Sequence, residues 1–349
     1  MPQSPNPPFH VGLTRDFLDT DGHLVFKDIA LDLLDAEPGV TYAFFDEHRE
    51  VVTPDQIADF DAVISYLPQW TQASFEGADR LTLLARFGVG YDMVDISACT
   101  ESGIILAITP EGVRRPMAEG ALTLILALAK EIFPKHRVLR EGRWMDHKFI
   151  YGSCLMGKTV GSVGLGNIGA DLMRLVEPFK PGRCLAYDPY CKAEQAEAVG
   201  TELVDLDTLL TNSDFICINC MLTEQTRGLI GPRELGLMKE TAYLVNTSRG
   251  PVINQRALAD ALVAQQIRGA ALDVFEQEPI DMNDPLLALD NVILLPHAIG
   301  YTHEALRGNG QGACEAVLAV QRGESPTHVV NRDVLKRSNL LRKLARFKI

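Results

Sequence analysis

Three strand-like apolar runs in this chain end in side chains able to do chemistry. "YLVNTSRG" ends in Arg249, "AALDVFEQEP" reaches Glu278, and "VILLPHAIG" carries His297. A guanidinium can clamp a carboxylate in a planar fork, an imidazole can carry a proton, and a neighbouring carboxylate can orient that imidazole. Together they suit hydride transfer at a hydroxy-acid carbon, where an anion must be held while a proton moves. Taken singly, each is more simply a surface cation, a solvated acid before Pro279 or a loop histidine. Their shared position at strand ends argues otherwise, because open α/β sheets bind ligands beyond the carboxyl edge of their parallel strands.

A glycine loop supplies the second half of such a reaction. "TVGSVGLGNIGADLMRLV" sets Gly164, Gly166 and Gly169 in G-x-G-x-x-G between a strand and an amphipathic helix. The pattern alone is weak, but this context is the one dinucleotide binding requires. Gly164 makes the tight turn, Gly166 admits a pyrophosphate to the backbone, and Gly169 lets helix pack on sheet. The helix N-terminus offers N–H groups and partial positive charge to the phosphates. The next strand ends in "LAYDPY" with Asp188. An acid there accepts from an adenosine ribose and repels a 2′-phosphate, which favours NAD over NADP. The plainer reading of Asp188 is a turn acid before Pro189.

Two α/β series position these groups. Over residues 9–107 the runs "FHVGLT", "VTYAFF", "DAVISY", "LTLLARF" and "GIILAI" predict strands of a first parallel domain. A long helix is expected to start near Pro116 and to be apolar nearly all round, which suggests burial. From Thr159, "TVGSVGL", "RCLAYD", "DFICINC", "TAYLVNT", "GAALDVF" and "NVILLPH" predict six strands of one doubly wound sheet. A helix follows from Thr302 to about Gln321; its Gly308, Gly310 and Gly312 run against helix propensity and point to close packing. The last stretch, "SNLLRKLARFKI", predicts a short amphipathic helix with a solvated basic face. Residues 332–349 carry seven Lys or Arg against one acid.

Composition narrows the setting. The chain has 349 residues, enough for two cores, and a formal net charge of −13, which argues against nucleic acid or an anionic membrane as main partner. "MPQSPNPPF" lacks a signal-peptide core and predicts a short disordered tail. The longest apolar stretch, "ALTLILALA", is too short to span a bilayer. Seven cysteines without a framework pattern suit a cytoplasmic protein, and Cys217 with Cys220 on a strand is not expected to hold zinc or to act in redox chemistry. No metal is expected.

The stretches "RFGVGYDMVD", "GSVGLGNIG", "LTEQTRGLIG", "LVNTSRGPVI", "GAALDVFEQEP" and "LPHAIGYTHEA" stand in the order found in the D-isomer-specific 2-hydroxyacid dehydrogenases, which the chain resembles over roughly residues 60–331. The resemblance implies Arg249, Glu278 and His297 as the catalytic set, with His297 as general acid/base. It implies that backbone near Val89 and Gly90 binds the substrate carboxylate, and that Asp273 lies near the nicotinamide of NAD. On the cofactor side the expected residues are Gly164, Gly166, Asn167, Ile168, Gly169, Asp188, Thr247 and Asp273. The implied fold is α/β, with two Rossmann-like or flavodoxin-like domains. A substrate domain of residues 1–115 plus 298–349 is split by an NAD-binding domain of residues 116–297. Closure by hinge motion and a homodimer are implied too.

Departures from the family pattern bear on substrate. "NCMLT" puts Asn219 and Met221 where relatives carry a His-x-Pro-like stretch, and "EGVRRPMAE" brings Arg114 and Arg115. Tyr66 and Trp70 in "SYLPQW" could select a bulkier substrate, while Arg86, Arg114 and Arg115 could serve a second anionic group or be solvated surface charge. The alternative function is a corepressor-like protein that senses dinucleotide with little turnover. A formate dehydrogenase-like enzyme is a third reading, though that relative carries Gln where Glu278 stands.

Overall fold

Runs of Val, Ile, Leu and Ala bounded by Gly, Asp and Pro fold here as short parallel strands, in a computed structural model that describes residues 8–347. The expected N-terminal tail therefore lies, up to residue 7, outside the described residues. The chain divides into two compact units: Met1–Val113 with Tyr301–Ile349, and Arg114–Gly300.

The first unit holds β1 (Phe9–Leu13), β2 (Val40–Phe44), β3 (Ala62–Ser65), β4 (Leu83–Arg86) and β5 (Ile105–Ala107) in the order β2-β1-β3-β4-β5. That order is the flavodoxin-like one, with its switch point between β1 and β3. Alternate residues serve opposite faces: Leu83 and Ala85 join the core that holds Val317 and Val320 of helix His303–Gln321, while Leu84 joins the core around Trp70. Burial on both faces is why these strands read as near-continuous apolar runs. Thr302 caps the long helix by accepting from the Ala305 N–H at 3.1 Å.

The second unit holds β6 (Thr159–Val163), β7 (Arg183–Tyr187), β8 (Glu202–Leu203), β9 (Phe215–Ile218), β10 (Tyr243–Asn246), β11 (Gly269–Leu272) and β12 (Val292–Leu294). Their order is β12-β11-β10-β9-β6-β7-β8, all pairs parallel. The order reverses at β6, so the crevice for a dinucleotide falls between β6 and β9. No helix among the described residues is long and apolar enough to cross a membrane.

Three expectations need correction. The sheet has a seventh strand, β8, whose two residues are too few to show a period. The long helix begins at Pro110 and runs to Ala129 with Pro116 inside it; two prolines gave the same start signal, and the earlier one holds the first helical position. It is not apolar all round, since Glu119 and Thr123 are exposed. Finally, helix Ser338–Leu344 keeps Arg342 in water, as expected of a basic face, but not Lys343. Lys343 is buried and its ammonium donates to the carbonyls of Ala78, Leu81 and Ser102 at 2.6, 2.9 and 2.8 Å. A buried ammonium is tolerated because all three of its donors are used.

Candidate active site

Register puts the three reactive side chains in the segments that follow three adjacent strands. Asn246 pairs with Leu272, and Leu272 with Leu294, so the chain leaves β10, β11 and β12 side by side at one edge. The segments beyond are laced together by backbone groups. Asp273 N–H donates to Asn246 O at 3.0 Å. Gly250 lies so close to the next segment that a Cβ there would sit 1.9 Å from the Phe275 carbonyl. Only glycine fits after Arg249, which is why the turn reads "SRG".

Glu278 and His297 meet directly. Imidazole Nδ1 lies 2.7 Å from carboxylate Oε2, while Oε1 accepts from the Phe275 N–H at 3.0 Å. Burial pushes the Glu278 carboxyl up, but the His297 hydrogen bond, the Phe275 N–H and the charges of His297 and Arg249 outweigh it and hold it below the ordinary value. An ionised carboxylate can only accept, so the shared proton belongs to Nδ1. Nε2 is then the nitrogen that can give or take a proton.

His297 adopts φ +53°, a left-handed conformation that costs a side-chain-bearing residue energy. Asp273 supplies the restraint. Its buried carboxylate accepts from the Ala298 N–H at 2.8 Å and the Ile299 N–H at 3.2 Å, directly after the histidine. Burial raises the Asp273 carboxyl, opposed by those two amides and by His297. This bracing of the histidine turn had no signal in the sequence beyond an acid at a strand end. Thr247 is buried beside Asn246. The Arg249 guanidinium donates to its neighbour's carbonyl, Ser248 O, at 2.8 Å.

The glycine loop sits at the switch point. Gly164 has φ +96°, and a Cβ there would meet the backbone of Asn219 and Cys220 at 2.7–2.9 Å. A Cβ on Gly169 would lie 2.4 Å from Gly164 O, so this glycine brings helix Asn167–Val176 onto the loop. Gly166, at the N-cap, faces open space, with no atom within 4 Å of where its Cβ would be. Asn167 is exposed and Ile168 half-buried in the first turn. The Asp188 carboxylate accepts from the Leu165 N–H at 2.8 Å and the Tyr190 N–H at 2.9 Å, one per oxygen, which leaves each oxygen a further lone pair. Asn219 donates from its amide to Ser162 Oγ at 2.9 Å, and its buried Oδ1 meets no protein donor. An open cradle, a helix N-terminus, an acid at the second strand end and an orphaned amide oxygen fit a dinucleotide.

In the first unit, Val89 and Gly90 follow Gly88, whose φ is +135°. Several residues weighed for substrate choice have other employment. Trp70 is core, its indole N–H bonded to Ser65 Oγ at 2.9 Å. Arg86 is buried, not solvated, and donates to the Phe87 carbonyl at 2.8 Å. Within the second unit, Arg115 pairs at 3.3 Å with buried Asp171 of helix Asn167–Val176. Tyr66 packs among Phe17, Phe26 and Phe87 and shares a hydroxyl hydrogen bond with Tyr301. All seven cysteines are free.

This constellation is that of a nucleotide-dependent oxidoreductase. Residues 122–298 match the profile described as "D-isomer specific 2-hydroxyacid dehydrogenase, NAD binding domain". A glyoxylate reductase of Korarchaeum cryptofilum is 40% identical over 286 residues, covering 81% of this chain and 86% of that protein. A D-3-phosphoglycerate dehydrogenase of Methanocaldococcus jannaschii is 40% identical over 79% of this chain and 53% of its own length. Among solved structures, a glyoxylate reductase from Paecilomyes thermophila superposes with TM-score 0.79 at 26% identity, covering 93% of this chain and 99% of that one. The chain belongs to the D-isomer specific 2-hydroxyacid dehydrogenases. It is an NAD-dependent oxidoreductase, and residues 122–298 are its NAD-binding domain.

Proposed function

We propose that this enzyme reduces a short 2-keto acid to the D-2-hydroxy acid, and runs the reverse, with His297 as the proton carrier. The observation that carries the reading is the 2.7 Å bond between His297 Nδ1 and an ionised Glu278, which fixes the ring and leaves Nε2 for substrate. NADH, when bound, supplies the hydride. Protonated His297 gives its Nε2 proton to the oxygen that becomes the hydroxyl. Glu278 holds the ring through its bond to Nδ1. Arg249 binds the substrate carboxylate in a fork that lysine cannot reproduce. The amides of Val89 and Gly90 are assigned to the substrate carboxylate as well.

On the cofactor side, Gly164, Gly166, Asn167, Ile168 and Gly169 would hold the pyrophosphate. Asp188 would take the ribose hydroxyls and disfavour a 2′-phosphate. Thr247 and Asp273 would flank the nicotinamide. Relatives named glyoxylate reductase support a small keto acid. A panel of glyoxylate, hydroxypyruvate, pyruvate and phenylpyruvate with NADH and NADPH tests this; turnover of none with NADH would reject it.

A cytoplasmic homodimer completes the proposal. In the second unit Phe133, Leu139, Trp144, Met145, Phe149 and Tyr151 are exposed within twenty residues of chain, Phe149 to 81%. That density of apolar side chains suits a face covered by a second copy. The net charge of −13 disfavours nucleic acid or membrane as partner. Light scattering of the purified protein checks the dimer.

A further inference from the structure

The loop that carries Val89 and Gly90 is held from behind by two buried residues that lie 200 positions apart. Gly88 donates its N–H to Thr109 Oγ1 at 2.8 Å, and Thr109 N–H returns to the Gly88 carbonyl at 3.0 Å. The Thr109 hydroxyl, having accepted from Gly88, donates its single proton to Asn309 Oδ1 at 2.9 Å. Thr109 is 3% exposed and Asn309 6%. These bonds lie inside the first unit and join its two chain segments.

Two of the three glycines that break helix propensity, Gly308 and Gly312, are explained by the same spot, while Gly310 packs against the Ile29 carbonyl. A Cβ on Gly112 would lie 2.5 Å from both the backbone nitrogen and Oδ1 of Asn309. A Cβ on Gly308 would lie 2.8 Å from Gly112 Cα, and one on Gly312 would lie 2.9 Å from Thr109 Cγ2. Glycine at each position lets helix Pro110–Ala129 and helix His303–Gln321 approach closely enough to aim Asn309 at Thr109. Glycine inside a helix costs stability, so their presence is explained by what the approach builds.

We propose that Thr109 and Asn309 are positioning residues for substrate: they hold Gly88 in its positive-φ conformation so that the Val89 and Gly90 amides are pre-set for a carboxylate. This rests on the assignment of those two amides to the substrate. Gly88 is the permissive joint of the loop, and φ +135° is one of many conformations open to glycine. Its N–H also reaches the Arg86 carbonyl at 2.9 Å, and it is the added bond to Thr109 that selects one. Without it, the loop must be ordered each time an acid binds. Substrate binding then weakens, while the proton and hydride steps, carried by other residues, keep their rates.

The test uses the full-length enzyme with glyoxylate as probe. Thr109→Val keeps the shape and removes the hydroxyl. Its KM for glyoxylate should rise roughly tenfold, the scale of one residue's backbone ordering, with kcat within about twofold and NADH Kd, from nicotinamide fluorescence, unchanged. Thr109→Ser should recover most of the wild-type KM. Asn309→Ala should raise KM in the same way, and less than additively on top of Thr109→Val, because both act through one chain of bonds. If Thr109→Val fails to fold, Asn309→Ala carries the test alone. An unchanged KM, an equal loss of NADH affinity, or a Ser variant as poor as Val overturns the proposal. Gly90→Pro, which deletes an amide donor, separates the two readings. A raised KM there with a normal Thr109→Val enzyme overturns the bracing alone; a normal KM in Gly90→Pro overturns the amide assignment, and the bracing with it.

Discussion

Glu278→Gln isolates what the carboxylate does for His297, because the amide keeps its size and an acceptor oxygen but not its charge. With Nδ1 and Oε2 2.7 Å apart, the formal charges are separated by about 3 Å. The side chains of His297 and Glu278 are 47% and 37% exposed, so solvent screens the pair. At an effective dielectric of about 40 to 80, Coulomb's law gives roughly 1.4–2.8 kcal/mol. The amide cannot offer this attraction to the imidazolium, the form that donates in the proposed reduction. We expect kcat/KM for glyoxylate reduction to drop about ten- to a hundred-fold at about 1.4 kcal/mol per tenfold, with NADH Kd unchanged. Acid pH should erase the difference in a defined window. The folded Glu278 carboxyl lies below its ordinary 4.5, so the contribution is complete above that value and is lost only as pH falls through the depressed one. The ratio of wild-type to variant kcat/KM, from initial rates of NADH oxidation, should therefore exceed one at neutral pH and approach one by the time pH has fallen through the depressed Glu278 carboxyl value. A ratio near one at neutral pH would refute the reasoning.

Arg249→Lys keeps the charge and loses the planar pair of donors; removing roughly 2–4 kcal/mol of transition-state stabilisation should lower kcat/KM about thirty- to a thousand-fold, and a near-normal value returns the arginine to the surface. Asp188→Ser should shift preference towards NADPH, measured as the ratio of kcat/KM with the two cofactors, and should lower Tm, since Asp188 also accepts from the Leu165 and Tyr190 amides; equal wild-type use of both cofactors rejects the ribose role. Burial pushes the Lys343 ammonium down to about 8 from 10.5, so the unfolded chain binds more protons between those values and stability should rise with pH across that window. Lys343→Met should lack this rise in denaturant titrations at several pH values, and an identical slope in both proteins would count against a buried ammonium.

The parts of the fold visible in the sequence are those with a local signal. Eleven of the strand runs, both glycine-loop ends and the cap at Thr302 announce themselves within a few residues, because apolar burial and turn chemistry repeat at short range. What escaped depends on residues far apart in the chain. Trp70 looked like a substrate-facing aromatic and is core, because Ser65 offers its indole a buried partner. Arg86 and Lys343 looked like solvated charge, yet each donates to main-chain carbonyls that no side-chain pattern encodes. The glycines of helix His303–Gln321 were legible as close packing, but what they pack against lies far off in the chain, at Thr109 and Gly112 for Gly312 and Gly308 and at Ile29 for Gly310. Pro116 misled because a second proline stood six residues earlier.

At the candidate site itself, the reactive side chains were legible and the means of holding them were not. Arg249, Glu278 and His297 could be found by type and by their strand ends. Their order comes from contacts of main chain with main chain or with a buried acid: Gly250 against the Phe275 carbonyl, Phe275 N–H to Glu278, and Asp273 to the amides after His297. These contacts run in sequence from the β10 segment to β11 to β12, so a shift in any one moves the next. Flexible side chains alone would leave three long groups to be ordered on every encounter, at a rotamer cost of up to about 2 kcal/mol for the longest of them. A glycine contact and a buried carboxylate, whose geometry folding has already fixed, remove much of that cost from binding. Such restraint also explains how His297 keeps its left-handed backbone without being glycine: Asp273 grips the two amides that follow it. Asp273 can therefore be essential to the imidazole's position without touching the imidazole.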